Sequence, residues 1–263
     1  MQVRAKKSLG QHFLNSEDVA MRTVEALKET FQENDRNSVL EVGPGMGVLT
    51  KYLLKEENLD FKAVELDEES VEYLLSHYPS IEGRLFEGDF LRMDLDSLFK
   101  HEFSIIGNFP YNISSQIFFK ILENKDKVPT AVGMVQKEVA ERLASPPGNK
   151  AYGILSVLLQ AWYDIEYLFT VGPHLFSPPP KVNSAVIRIR RNDRTELGCD
   201  EILFKKVVKT CFNQRRKTIR NSIKPLTGEY SVPQSELLDL RPEQLSVEMF
   251  AELVNGMKNL KQQ

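Results

Sequence analysis

Cysteine and tryptophan are scarce in this chain, which has two cysteines and one tryptophan in 263 residues. Two cysteines, Cys199 and Cys211, are too few for a disulfide framework, so a stapled secreted scaffold is excluded. They cannot form a metal cluster by themselves, and no metal is expected; two free thiols in a reducing compartment is the simplest reading. Long apolar runs are absent as well: no segment reaches the ~18 consecutive apolar residues of a membrane helix. The basic start, Met1 to Lys7, leads into Ser8, Gly10, Gln11 and His12, not into an apolar core, which is not the pattern of a secretory signal. A cytoplasmic chain without a membrane partner is expected. An excess of one charge sign is also missing, with 34 Lys and Arg against 37 Asp and Glu. That balance excludes a uniformly basic nucleic-acid coat and leaves room for local basic patches.

What is present is a regular alternation. Ala20, Val24, Leu27 and Phe31 recur at helical spacing after Asn15, with Ser16, Glu17 and Asp18 suited to an N-cap and first turn. Short apolar runs then read as strands: Ser38–Gly43, Phe61–Asp67, Leu85–Asp89, Phe103–Asn108 and Ala131–Val135. Glu68–His77 and the stretch after Val135 read as helices. Strands alternating with helices imply βαβ units and a parallel sheet, hence an α/β, Rossmann-like fold. Ile165–Val171 and Ser184–Arg190 complete the sheet pattern. In the latter Ile187 and Ile189 alternate with Arg188 and Arg190, as in a half-exposed strand. The pattern stops near residue 195. The chain is therefore divided into a first domain, 1–195, and a small all-helical domain, 196–263.

Two motifs carry chemistry. Glu41-Val-Gly43-Pro-Gly45-Met-Gly47 lies between a strand and a helix, where glycines permit a sharp turn and close approach of a ligand. Glu65, at the end of the second strand, is placed to accept hydrogen bonds from ribose hydroxyls. The dinucleotide fingerprint would need Gly or Ala at position 48, which is Val48, and no phosphate-binding lysine follows. The E-x-G-x-G-x-G spacing resembles the first motif of S-adenosylmethionine-dependent methyltransferases, with Asp89 in position for the adenine amino group. The second motif is Asn108-Phe-Pro-Tyr111 after the fourth strand. It resembles the tetrapeptide of amino-methyltransferases. The exocyclic nitrogen of adenine is a poor nucleophile, because its lone pair is delocalised into the ring. The Asn108 side-chain oxygen and the Pro110 carbonyl can hold its N–H groups and free that lone pair. Tyr111 offers a face on which an extruded base can stack.

Further blocks extend the likeness over nearly the whole chain: Lys7–Asn15, Gln136–Arg142, Tyr152–Ser156, Phe176–Ala185 and Phe212–Ser222. In this order they resemble the ribosomal RNA adenine dimethyltransferases. That resemblance implies a Rossmann-like catalytic domain followed by a helical RNA-binding domain. It implies transfer of methyl groups from S-adenosyl-L-methionine, released as S-adenosyl-L-homocysteine, to two adjacent adenosines near the 3′ end of 16S rRNA in an immature 30S subunit. It places His12, Leu14, Gly43, Gly45, Gly47, Glu65, Asp89 and Asn108 around the donor. It assigns Asn108, Pro110 and Tyr111 to the target, with Phe176 completing a sandwich about the flipped base. Two departures stand out: Phe109 where Leu is commoner, which bears on pocket shape, and Asn183 where Asp is frequent.

From Lys205 to Lys224 eight basic residues occur without an acid. With Val208, Phe212, Ile219 and Ile223 at helical spacing, the stretch predicts one amphipathic helix. Lys205, Lys209, Arg215, Arg216, Lys217 and Arg220 are its candidate RNA phosphate contacts. Nothing in the sequence asks for an oligomer, and a monomer is expected. Two other readings remain: a DNA adenine methyltransferase, which usually carries D-P-P-Y and a target-recognition domain not found here, and an RNA-binding assembly factor whose catalysis is dispensable.

Overall fold

A computed structural model describes residues 3–31 and 37–260. Among these, seven strands form one sheet: β1 Asn37–Val42, β2 Leu59–Glu65, β3 Leu85–Glu87, β4 Ser104–Asn108, β5 Thr130–Gln136, β6 Tyr163–Val171 and β7 Ser184–Arg191. Their spatial order is β3-β2-β1-β4-β5-β7-β6. Strands β1 to β5 are parallel, and β7 runs antiparallel to β5. The order reverses between β1 and β4. The crevice beyond the strand carboxyl ends at such a reversal is where α/β sheets bind ligands. The central strands are apolar on both faces, as a sheet covered on both sides requires; β4 and β5 expose only their last residues, Asn108 and Gln136, in part.

Helix α1, Glu17–Lys28, begins where the Ser16 hydroxyl accepts the Val19 N–H at 3.3 Å, and it buries Val19, Ala20, Thr23, Val24, Ala26 and Leu27. Helix α2, Glu68–His77, follows β2 directly. The expected half-exposure of β7 holds at Arg190 and fails at Arg188. Arg188 is 8 % exposed. Its guanidinium is satisfied by Glu29 at 2.6 Å, Glu166 at 2.7 Å and the Ala26 carbonyl at 2.9 Å. Partners distant in sequence let a charge lie where alternation predicted solvent.

The chain divides into two compact units, Met1–Ala140 with Ile165–Arg191, and Glu141–Asp164 with Asn192–Gln263. Residues 141–164, expected in the first domain, belong to the second unit, and the break near 195 falls at Arg191. The reason is helix α3, Ile154–Gln160, five of whose seven residues are buried. It packs on α4, Glu201–Phe212, and α5, Val247–Asn255. Tyr152 is buried beside the Phe212 ring, which in turn meets Phe250. The second unit is not wholly helical: Tyr230–Ser231 pairs antiparallel with Lys258–Asn259.

The single helix expected over 205–224 is two. Helix α4 ends at Phe212, a turn runs through residues 213–218, and a short helix spans Ile219–Ser222. The apolar spacing persists on either side of the turn, but the intervening run of polar residues, 213–218, leaves no apolar face to hold a helix across it.

Candidate active site

A cleft of about 300 Å³ opens at the carboxyl ends of β1 to β4. The strand order places Asp89, Glu65, Gly43 and Asn108 in one row along its floor, each just after or at the end of its strand. Their sequence separation is large, and only the parallel register brings them together.

The three glycines of the first motif have different roles. A Cβ built on Gly43 would meet nothing nearer than the Pro110 ring at 4.0 Å, so this position leaves open space on the cleft side. Gly45 donates its N–H to Glu65 Oε2 at 2.9 Å. Gly47 does not line the cleft. A Cβ there would lie 2.4 Å from the Tyr78 ring, so its smallness serves packing. Gly47 thus packs against Tyr78 beneath the cleft lining.

Glu65 is 5 % exposed. Its carboxylate accepts N–H groups from Gly45, Leu66 and Asp67 at 2.9, 2.9 and 3.0 Å. Burial pushes its carboxyl up, against the pull of those three donors. A carboxylate has about four acceptor sites, so capacity remains for a ligand hydroxyl. Asp89 is oriented by the Leu91 N–H at 2.9 Å on Oδ1. Lys120 holds the same loop through the carbonyls of Leu91 and Met93. Leu66, Phe90 and Leu91 also line the cleft, and Leu66 is 50 % exposed. An apolar side chain left exposed beside a carboxylate suits a flat ring, and sequence reasoning missed all three. The available signal was their place one or two residues beyond the two acids.

Asn108 donates from Nδ2 to the His12 carbonyl at 2.8 Å. Its side-chain oxygen has no partner among the described residues. The Pro110 carbonyl takes the Ile113 N–H at 3.2 Å and keeps its second lone pair. Tyr111 is fixed by a hydrogen bond between its hydroxyl and that of buried Ser184. Phe109 turns its ring down into the sheet, where Gly107 and Gly133 make room and Phe118 meets it edge-on.

Leu14 and His12 line the cleft, but Phe176 does not. Phe176 lies opposite Leu14 in a two-residue antiparallel ladder and is 3 % exposed within the core. The expected sandwich of Phe176 and Tyr111 is therefore not formed in this structure, because Phe176 fills apolar space under the ladder. The ring beside Tyr111 is His12, at 5.3 Å between centroids and tilted by 33°. The His12 ring is oriented by the Pro178 carbonyl, 2.8 Å from Nδ1.

Glu41 lies under the cleft, 1 % exposed, and accepts the Thr50 hydroxyl at 2.7 Å. Burial, opposed by Thr50 and helped by the nearby Glu65 carboxylate, pushes its carboxyl up from 4.5 to about 8. Between those values the folded chain holds a proton that the unfolded chain gives up. Glu41 therefore contributes stability below about pH 4.5 that is lost as pH rises toward about 8. Glu41→Gln keeps an acceptor for Thr50 and removes the ionisation. Its melting temperature relative to wild type is expected to climb steadily from pH 5 to about 8, read by calorimetry. A pH-independent difference would place the burden on another group.

The six basic candidates all lie in the second unit, where the structure sorts them. Arg220 is paired with Asp239 at 2.7 Å. Arg215 reaches the carbonyls of Asn149 and Lys150 and lies 3.8 Å from Glu243. Lys205 is half-buried; Lys209, Arg216 and Lys217 are exposed. The acid-free window in sequence is thus partly neutralised by acids from elsewhere.

Comparison with known proteins decides the family. The description of the ribosomal RNA adenine dimethylase family matches residues 2–257. The chain belongs to the ribosomal RNA adenine dimethylase family. A curated member, the ribosomal RNA small subunit methyltransferase A of Parabacteroides distasonis, is 59 % identical over 99 % of this chain and 97 % of its own. A dimethyladenosine transferase from Plasmodium falciparum has the same fold, with TM-score 0.75 at 23 % identity over 92 % of this chain and 96 % of its own. The 23S rRNA methyltransferase ErmE follows, with TM-score 0.63 at 26 % identity over 92 % and 99 %. Among the described residues no helix is long and apolar enough to cross a membrane.

Proposed function

We infer that this dimethylase-family chain transfers methyl groups from S-adenosylmethionine to N6 of two adjacent adenosines in a hairpin loop near the 3′ end of 16S rRNA, as a monomer acting on an immature 30S subunit. The observation that carries the reading is Asn108 at the end of β4, its amide nitrogen engaged by His12 and its oxygen left over beside the cleft.

The residues present fit the donor. Glu65 would accept the ribose hydroxyls and Asp89 the adenine amino group, with Leu66 and Phe90 about the ring. The space left by Gly43 takes the methionine part, and His12 and Leu14 close the opposite wall. When bound, the donor supplies a methyl group on a positively charged sulfur and leaves as S-adenosylhomocysteine. The chain itself does the rest by positioning. Asn108 Oδ1 and the Pro110 carbonyl accept hydrogen bonds from the N6–H groups of the target and keep the nitrogen lone pair out of the ring; as the N6–methyl bond forms and the sulfur–methyl bond breaks, the nitrogen becomes cationic and releases one proton to solvent. Tyr111, held by Ser184, stacks the base. Orientation and preorganised acceptors supply the acceleration, and no strong general base is needed.

The test is methyl transfer from labelled donor to undermethylated small subunits, large-subunit RNA and unmethylated DNA, followed by nucleoside analysis. N6,N6-dimethyladenosine in the small-subunit sample alone is expected. Label confined to large-subunit RNA or DNA would overturn the substrate.

The exposed cations of the second unit serve RNA phosphates in this reading. Reversing Arg216 and Lys217 to Glu is expected to weaken RNA binding and to flatten its logarithmic salt dependence by about 1.5 units. Arg220→Ala is expected to do less, because Asp239 already neutralises that side chain. Equal effects from both changes, measured by titration at several salt concentrations, would remove the distinction.

A further inference from the structure

The N-terminal wall of the cleft, residues 6–12, has none of its residues buried; Val3 before it and Phe13 and Leu14 after it are buried, and between them Asn112 Nδ2 donates to the Ser8 carbonyl at 3.4 Å. The single helical turn Lys7–Leu9 buries none of its residues, and segments with few apolar contacts open at low free-energy cost. Leu9, Gly10, Gln11 and His12 nevertheless form one side of the cleft. At the far end Asn108 holds the His12 carbonyl, and Phe13–Leu14 pairs with Phe176–Ser177.

At the near end Asp67 gathers three donors: the Lys6 ammonium, Gln11 Nε2 at 3.3 Å and the Ser70 hydroxyl at 2.8 Å. Gln11 Oε1 accepts the Lys6 backbone N–H at 2.8 Å, so both ends of the 6–11 segment meet on one carboxylate. The Asp67 side chain is fully buried, while that of Lys6 is 38 % exposed. Glu69 adds a 3.3 Å ion pair to Lys6. Burial alone would raise the Asp67 carboxyl; Lys6, Ser70 and Gln11 together bring it below its usual range. Asp67 also donates its own N–H to Glu65 Oε1 at 3.0 Å. One residue thus joins the N-terminal segment by its side chain and the Glu65 carboxylate by its backbone.

We propose that residues 6–12 form a strap across the donor pocket and that Asp67 is its catch, a positioning residue that holds the Leu9–His12 wall against bound donor and lets go for exchange. The proposal rests on the reading of the cleft as the S-adenosylmethionine site. Its energetic basis is the pairing of a buried carboxylate with a cation that solvent can reach. When Lys6 swings out, the buried Asp67 carboxylate keeps only Ser70 and Gln11, so the open state is costly and the catch favours the closed one. The far end stays anchored by the ladder, so opening needs no movement of the sheet.

Two variants test it in the full-length chain. Lys6→Met removes the cation from the accessible side and leaves Asp67 in place. Asp67→Asn keeps size and hydrogen bonding and removes the charge. S-adenosylhomocysteine binding to wild type is measured first, by titration calorimetry. Its dissociation rate, the donor KM and kcat at saturating RNA, and trypsin cleavage at Lys7 with and without S-adenosylhomocysteine are then compared. In both variants product dissociation and donor KM are expected to rise about tenfold, with kcat held within about twofold. Cleavage at Lys7 is expected to be faster, and protection by S-adenosylhomocysteine weaker. Unchanged dissociation and KM in Lys6→Met, or a fall in kcat at constant KM, overturns the strap. Failure of wild type to bind S-adenosylhomocysteine would instead overturn the reading of the cleft.

Discussion

Asn108→Ala is expected to lower the single-turnover rate of methyl transfer by about a thousandfold, the order found when a preorganised polar contact to the reacting centre is deleted. The change removes two contacts at once. It takes away the oxygen that holds the target nitrogen, and it releases the His12 carbonyl that Asn108 Nδ2 holds at 2.8 Å. Asn108→Asp separates them. An ionised aspartate can still accept from the target N–H, but it cannot donate to His12 and sets an anion against that carbonyl. Measurable transfer with a raised donor KM is expected for Asn108→Asp, against a collapse of kcat for Asn108→Ala. The comparison is made with labelled donor and undermethylated small subunits in excess enzyme. Wild-type rates in Asn108→Ala would remove Asn108 from the reacting centre.

Gly133→Ala is expected to destabilise the chain by about 3 kcal/mol, the upper range for overpacking a well-filled core. Gly133 lies on β5, far from solvent, and a Cβ there would fall 2.2 Å from Cε2 of the Phe109 ring. Gly107 on β4 is similarly tight: a Cβ would meet the Val42 carbonyl at 2.5 Å and the same ring at 2.9 Å. The ring cannot lift away without entering the cleft, since Pro110 and Tyr111 follow it directly. The melting temperature should therefore fall by roughly 6–12 °C. Phe109→Leu alone should cost only about 1 kcal/mol, because the smaller side chain leaves part of the slot empty. Combined with Gly133→Ala it should recover most of the loss, a coupling read from a double-mutant cycle. Strict additivity of the two changes would mean that ring and glycine do not compete for the same space. The Phe109 ring is thus accommodated beneath the motif, between Gly107, Gly133 and Phe118.

Much of this molecule is legible in its amino-acid sequence, and for identifiable reasons. The sheet strands stand out as short runs of apolar residues, four of the seven ending in Gly, Asp or Asn, and each falls within two residues of its expected place. The N-cap at Ser16 and the helix after Glu68 follow from chemistry local to a few residues. The row of Asp89, Glu65, Gly43 and Asn108 was legible as a set, because every parallel strand in such a sheet delivers its carboxyl end to the same edge.

The misses share one property: each depended on a partner far away in sequence. Arg188 read as solvent-facing until Glu29 and Glu166 closed on it. Phe176 read as a base-stacking ring, but the ladder with Leu14 turns it into the core. Arg220 read as an open phosphate contact until Asp239 paired with it. Residues 141–164 read as part of the first domain, because nothing local reveals that α3 buries its apolar surface against α4 and α5.

The sequence by itself determined the strand–helix alternation, the donor-type glycine loop, the Asn108–Tyr111 tetrapeptide and the family, since these rest on backbone preferences and side-chain chemistry within a few positions. Only the tertiary structure decided which glycine leaves room and which merely packs, and that Arg220 and Arg215 face acids. It alone joined Asp67 to Lys6 and Gln11, and it gave the ring beside Tyr111 as His12. Burial and pairing are properties of neighbours in space, and a linear pattern names the candidates without saying which of them meet.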